Sequence, residues 1–131
     1  MSAAKAARAE QTLYLIRHAD AGDPSEWIGP DSERPLSGKG VKQVARLAAT
    51  MLAAETRLDV IRHSPARRCA ETATVLSAVL EVEAIADDRL LDGPPLAQLS
   101  RMFDQKEISR LALVGHEPNL SRLLNELTGH A

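Results

Sequence analysis

Aromatic residues are nearly missing from this chain: one Trp, one Tyr and one Phe make up 2% of its 131 residues. Binding of single-stranded nucleic acid needs aromatic platforms for base stacking, so that class is disfavoured. Cysteine is just as scarce. Cys69, the only one, cannot form an internal disulfide and cannot build a usual structural zinc site. No His, Cys or carboxylate cluster has metal-ligand spacing, so neither a metal nor a cofactor is expected. No apolar stretch is long enough to span a bilayer. With a net charge of −2 and Lys and Arg spread along the chain, there is also no basic block for DNA, RNA or a membrane surface.

What is present suits one globular domain. Hydrophobic residues make up 44% and charged residues 26%, and a chain of this length can bury a real core built from Leu, Val, Ile and Ala. Residues 1–11 are Ala-rich, with two basic residues and no apolar stretch of the secretory kind. They read as a frayed leader before a domain spanning 12–131, and the protein reads as cytoplasmic.

Apolar runs alternate with segments of 3.6-residue period, the pattern of an α/β domain with a mainly parallel sheet. Strands are expected at 12–17, 58–62, 82–86 and 111–115. Ser37 is a good N-cap for a helix ending near Ala54, with Val41, Val44, Ala45, Ala48, Met51 and Leu52 at helical spacing. A second helix over about 66–80 puts Cys69, Ala73, Leu76 and Leu80 on one face. Pro95 can begin a third, to about Phe103, and Pro118 opens a last one through Leu120, Leu123, Leu124 and Leu127. Loops are expected at 19–36 and 87–94, the first long enough to be functional.

Two of these strands end in histidine. Leu13-Tyr14-Leu15-Ile16 runs into Arg17-His18, and Leu111-Ala112-Leu113-Val114 runs into Gly115-His116-Glu117-Pro118. In an open parallel sheet, ligands bind outside the C-terminal strand ends. A neutral imidazole is nucleophilic near pH 7, and a guanidinium offers a planar fork that fits phosphoryl oxygens. A third strand leads into His63-Ser64-Pro65-Ala66-Arg67-Arg68. Gly38 and Gly40 do not form a phosphate loop, since the Gly-Lys-Ser/Thr spacing and a preceding strand are both missing.

The ordered set Leu15-Ile16-Arg17-His18, Arg34-Pro35-Leu36-Ser37-Gly38-Lys39-Gly40, Ser64-Pro65-Ala66-Arg67-Arg68-Cys69-Ala70-Glu71-Thr72-Ala73 and Gly115-His116-Glu117-Pro118 resembles the histidine phosphatase superfamily. Within it, the short length and the Arg-Pro-Leu-Ser element look like the small bacterial phosphohistidine phosphatases. The match runs from about Thr12 to Gly129. It departs twice. Ala19 stands where the triplet Arg-His-Gly is usual, and the chain stops soon after its last expected helix, where family members continue into more sheet.

The resemblance implies a three-layer α/β/α sandwich of the phosphoglycerate mutase-like type, and a metal-independent phosphatase. His18 is the implied nucleophile, with Arg17, Arg68 and His116 holding the phosphoryl group and Glu117 among the substrate-binding residues. Helical geometry turns Arg67 about 100° away, toward solvent. His63 is assigned to the rim. The general acid of phosphomutase-like relatives lies in the loop after the third strand, which puts it at Asp92 among Asp87, Asp88 and Asp92. The implied partner is a phosphorylated protein such as a histidine-containing phosphotransfer domain. A small phosphate ester or pyrophosphate as substrate, and a non-catalytic phosphate-binding module, are the alternatives.

Overall fold

The structure is a computed structural model and describes residues 10–94, 96–104 and 108–129. Most of the expected leader, Pro95 and His130 lie outside these. Four strands form one parallel sheet: β1 (Thr12–Arg17), β2 (Val60–His63), β3 (Ala84–Ala86) and β4 (Arg110–Gly115), in the order β1-β4-β2-β3. Helices α1 (Gly38–Ala53) and α2 (Arg67–Leu80) cover one face, and α3 (Leu96–Asp104) and α4 (Asn119–Thr128) the other. This is a three-layer α/β/α sandwich around a parallel sheet, as the sequence leads one to expect.

The strands explain the layers. Successive side chains point to opposite faces, and a parallel sheet is buried on both. Along β4, Ala112 and Val114 join the core under α1 and α2, while Leu111 and Leu113 join the core under α3 and α4. On β1 the same alternation sends Tyr14 and Ile16 one way, Leu13 and Leu15 the other. Small residues on the first face (Ala48, Cys69, Ala73, Ala112) let α1 and α2 lie close to the sheet.

Three details differ from the sequence reading. In α1 the buried row is Gly40, Val44, Ala48 and Met51, and Val41 and Leu52 stay more than half exposed. They lie to the side of that row, so the true buried stripe is narrower. In α4, Leu120 and Leu123 are buried, whereas Leu124 and Leu127 are exposed. The loop after β3 contains a helical turn, Asp88–Leu90, which buries Leu90 completely. Strand ends shift by up to two residues, as boundaries do.

The strand order also places the site. After β1 and β2 the chain turns to helices on one face, and after the central β4 it turns to α4 on the other. The connections diverge on either side of β4 and leave a crevice at its C-terminal end. The loop from β1 closes over this edge because Gly40 lets it approach α1. A Cβ on Gly40 would lie 1.9 Å from the backbone oxygen of Asp20. Ser37 completes the junction: its N–H donates to Asp20 O at 2.9 Å, and its Oγ caps the helix by accepting from Gly40 N–H at 3.0 Å.

Gly40→Ala is therefore expected to push the Asp20 backbone off α1. The cost should be about 2 kcal/mol, as for overpacking elsewhere, which lowers the melting temperature by roughly 6–10 °C. Thermal unfolding followed by circular dichroism checks this, with Gly38→Ala as the control, since a Cβ there meets nothing within 4 Å.

Candidate active site

His18 and His116 leave the adjacent strands β1 and β4 side by side, with ring centroids 5.5 Å apart at 64°. His18 Nδ1 lies 2.8 Å from Ala19 O. A carbonyl can only accept, so Nδ1 carries the proton and Nε2 keeps a free lone pair. The turn that permits this is held from α2, where Thr72 Oγ1 accepts the Ala19 N–H at 3.1 Å. Burial lowers the His18 pKa below its ordinary value; the Ala19 hydrogen bond opposes this, and the charges of Arg68, Arg17 and Arg34 lower it further. The ring is therefore neutral at pH 7.

Arg68, in the first turn of α2, is buried. Its Nη1 donates to Asp31 O at 2.9 Å and its Nη2 to Asp31 Oδ2 at 3.0 Å. The same Nη2 is 3.5 Å from His116 Nδ1. The other carboxylate oxygen of Asp31 accepts from Arg34 Nε at 3.1 Å. Arg34 in turn holds the loop backbone, donating to Ala21 O at 2.7 Å and Gly22 O at 3.2 Å. Hydrogen bonding from Arg34, with the charge of Arg68, keeps the Asp31 carboxyl below its usual range.

A cavity of about 430 Å³ opens here, lined among others by His18, Asp31, Arg34, Arg68, His116 and Glu117. A second, of about 480 Å³, lies on the α1 side of His18 and is lined by Arg17, Arg34, Gln43 and Leu47 among others. The structure thus brings His18, Arg68, His116 and Glu117 to one cavity. Arg17 is exposed and lines the neighbouring one, but its charge reaches both His18 and Glu117. Glu117 turns its carboxylate onto α4, where Ser121 N–H and Oγ donate to it.

The remaining assigned residues lie apart. Arg67 is exposed and pairs with Glu71 at 2.9 Å, whose other oxygen accepts the Leu36 N–H at 2.9 Å. His63 is half-buried, its Nδ1 donating to Ser64 O at 2.9 Å. Asp87 is buried between Arg62 and Arg89 at 3.2 Å and 2.6 Å. Asp92 is exposed and lines neither cavity. Among the described residues, no group of three or more His, Cys, Asp or Glu side chains could hold a metal ion.

Three participants escaped the sequence reading: Asp31, Arg34 as a loop anchor, and Ser64, whose Oγ is 2.8 Å from His116 Nε2. The i,i+3 spacing of Asp31 and Arg34 was a usable signal for a local ion pair. Nothing in the sequence joins either residue to Arg68.

Comparisons with known proteins give the family and the fold. The model of the histidine phosphatase superfamily, branch 1, matches residues 13–93. An uncharacterised protein of Picosynechococcus sp. is 30% identical over 128 residues, 90% of this chain and 76% of its own length. Among solved structures, one provisionally assigned as the phosphohistidine phosphatase SixA of Agrobacterium tumefaciens superposes with a TM-score of 0.74. It is 27% identical, over 87% of this chain and 73% of its own. A protein histidine phosphatase SixA complexed with tungstate gives a TM-score of 0.76 at 20% identity, over 88% and 75%.

The arginine cluster yields a direct expectation for the histidine. The His18 imidazole should titrate in NMR with a midpoint below about 6.5, and Arg68→Gln should raise that midpoint by removing one of the repelling charges. An unmoved midpoint would mean that the Arg68 charge does not act on the ring.

Proposed function

The chain belongs to the histidine phosphatase superfamily, and on that premise we propose that it hydrolyses phosphohistidine on a protein through a covalent phosphohistidine at His18. The observation that carries this reading is the Nδ1–H bond of His18 to Ala19 O, which leaves Nε2 bare beside the cavity that Arg68 and His116 line. His18 Nε2 attacks phosphorus as the P–N bond to the substrate imidazole breaks. Water then attacks the phosphorylated His18, releasing phosphate and the free ring. Splitting one displacement into two lowers each barrier.

Arg17, Arg68 and His116 stabilise the charge on the equatorial oxygens, where most of the work of phosphoryl transfer lies. Glu117 marks the substrate rim. A shallow, open site favours a phosphoryl group displayed on a protein, such as a histidine-containing phosphotransfer domain, over a small ester. Residues 12–131 act as one catalytic domain in this reading, with 1–11 as a leader. A cytoplasmic setting belongs to the same reading and rests on the single buried Cys69 and on the partner class.

The deciding experiment compares turnover of a phosphorylated histidine-containing protein with a panel of small phosphate esters. The phosphoprotein should give the higher kcat/KM. His18→Ala should abolish turnover of all of them, and rapid quench of the wild type should trap an acid-labile, alkali-stable phosphoenzyme. Label on His63, or no label at all, would overturn the assignment.

Arg68→Ala should cost about 10²–10³-fold in kcat, the usual loss for a transition-state donor. Arg67→Ala, which breaks only a surface pair, should keep activity within about threefold. Steady-state kinetics of the two variants checks this, and equal losses would shift the motif by one residue.

The family resemblance assigns proton delivery to Asp92, which is exposed and lines neither cavity; the role would matter for alkoxide leaving groups, and substitution tests it. Imidazole can depart with its ring already protonated. If Asp92 is the acid, Asp92→Asn should therefore slow phosphohistidine hydrolysis by no more than about twofold and alkyl phosphate hydrolysis by the 10²-fold or more typical of general acid loss. Equal, small effects on both substrates would reduce Asp92 to a loop carboxylate.

A further inference from the structure

The polar network behind His116 takes no part in the steps above. Ser64 follows β2 and is fully buried. Its Oγ accepts the Ala66 N–H at 3.2 Å and lies 2.8 Å from His116 Nε2. Cys69 Sγ is 3.6 Å from the same nitrogen. Burial pushes the Cys69 pKa up to about 11, so the sulfur is a neutral thiol. A hydroxyl oxygen has two lone pairs, so Ser64 Oγ can accept from a second N–H beside that of Ala66.

On its other side the His116 ring meets Arg68, with Nδ1 3.5 Å from Nη2. A guanidinium nitrogen can only donate. Nδ1 therefore faces the arginine with its lone pair, and the single proton of the neutral ring sits on Nε2 and goes to Ser64 Oγ. A phosphoryl oxygen arriving beside Arg68 would meet that bare Nδ1 as acceptor against acceptor. The contact becomes favourable only if Nδ1 gains a proton.

We propose that Ser64 is a positioning residue which, by accepting the Nε2 proton, presents Nδ1 of His116 to the phosphoryl group, and that arrival of a phosphoryl dianion loads a proton from solvent onto Nδ1. This rests on the phosphatase reading above and deepens it. The proton balance is simple: one proton enters with the dianion and leaves with the product. The charged and titratable groups facing the ring are Arg68 and Cys69 from α2, His18 from β1 and Asp31 from the loop. Burial, Arg68 and His18 hold the free ring neutral, against a smaller opposing effect of Asp31. A dianion within about 4–6 Å adds strong opposite charge and favours the imidazolium. That ion then has an acceptor for each N–H, Ser64 Oγ on one side and the phosphoryl oxygen on the other.

The test uses the wild type first. ¹⁵N NMR of the histidine-labelled protein should show free His116 protonated at Nε2 and bare at Nδ1. Tungstate, a tetrahedral dianion at pH 8, should bind with uptake of about one proton, read by calorimetry in two buffers of different ionisation enthalpy. The spectrum of the complex should place that proton on His116 Nδ1. Ser64→Ala should give mixed His116 tautomers and a roughly tenfold lower kcat, the scale seen when a ring nitrogen loses its orienting partner. Ser64→Thr, which keeps the hydroxyl, should keep the tautomer. A proton on Nδ1 in the free protein, binding without proton uptake, or uptake at His18 instead would overturn the proposal. So would an unchanged tautomer in Ser64→Ala, and if these variants fail to fold, the wild-type measurements decide. Should tungstate bind and His18 become phosphorylated while His116 takes up no proton, only this inference falls. Should neither occur, the phosphatase reading falls with it.

Discussion

The Arg68 guanidinium is the tie on which the catalytic edge depends. It sits in the first turn of α2, is buried, and spends its donors on the backbone and the carboxylate of Asp31. Through that one residue a helix is joined to a long loop that has little core of its own. The loop returns the connection through Arg34, which shares Asp31 and grips two carbonyls upstream. A cluster of like charges would normally push itself apart. Here a single ionised carboxylate, bridging two arginines, keeps the cationic groups in one place; the arginines are buried, but the Asp31 side chain is 60% exposed, so solvent screens part of the attraction.

The histidines depend on a different constraint, the alternation of the strands. Because β1 and β4 are parallel neighbours in register, with Arg17 opposite Gly115, the residues that follow them emerge together. Gly115 sits at the strand end with Leu120 of α4 closely packed over it, so α4 can begin at once and the ring of His116 stays at the edge. Below this edge the two cores are of different kinds. The face under α1 and α2 is tight and rich in small side chains, while the face under α3 and α4 is filled by Leu, Met102 and Phe103.

Much of this was readable in the residues themselves. Strands and helices followed from periodicity, because each apolar run is short and bounded by turn or cap residues such as Ser37 and Pro118. His18 and His116 stood out because each ends such a run. What could not be read was long-range. Ser64 looks like any residue of a strand-to-helix turn until His116 is brought against it from 52 positions away. Asp31 is one of many loop carboxylates until Arg68 reaches it across 37 positions. Gly40 gave a partial signal, since glycine inside a helix is costly and asks for a packing reason. Its partner, the carbonyl of Asp20, has no sequence signature. Asp92 was assigned by position in a motif, and position in a motif does not say whether a side chain faces a cavity.

The loop between β1 and α1 is stapled at its base. Arg34 holds the carbonyls of residues 21 and 22, and Asp31 is fixed between Arg34 and Arg68, so the eight residues Asp23 to Pro30 leave and return at nearly the same point. Within that arc Ile28 is 93% exposed, and Trp27 is fastened only to its own loop, through Pro30 O at 2.9 Å. Closing a longer arc costs little, about 0.6 kcal/mol for each doubling of length. The arc is therefore an interchangeable part. Its length and composition can drift, or be rebuilt by an engineer grafting a new recognition element, while the arginines that close it keep the reacting groups where they are.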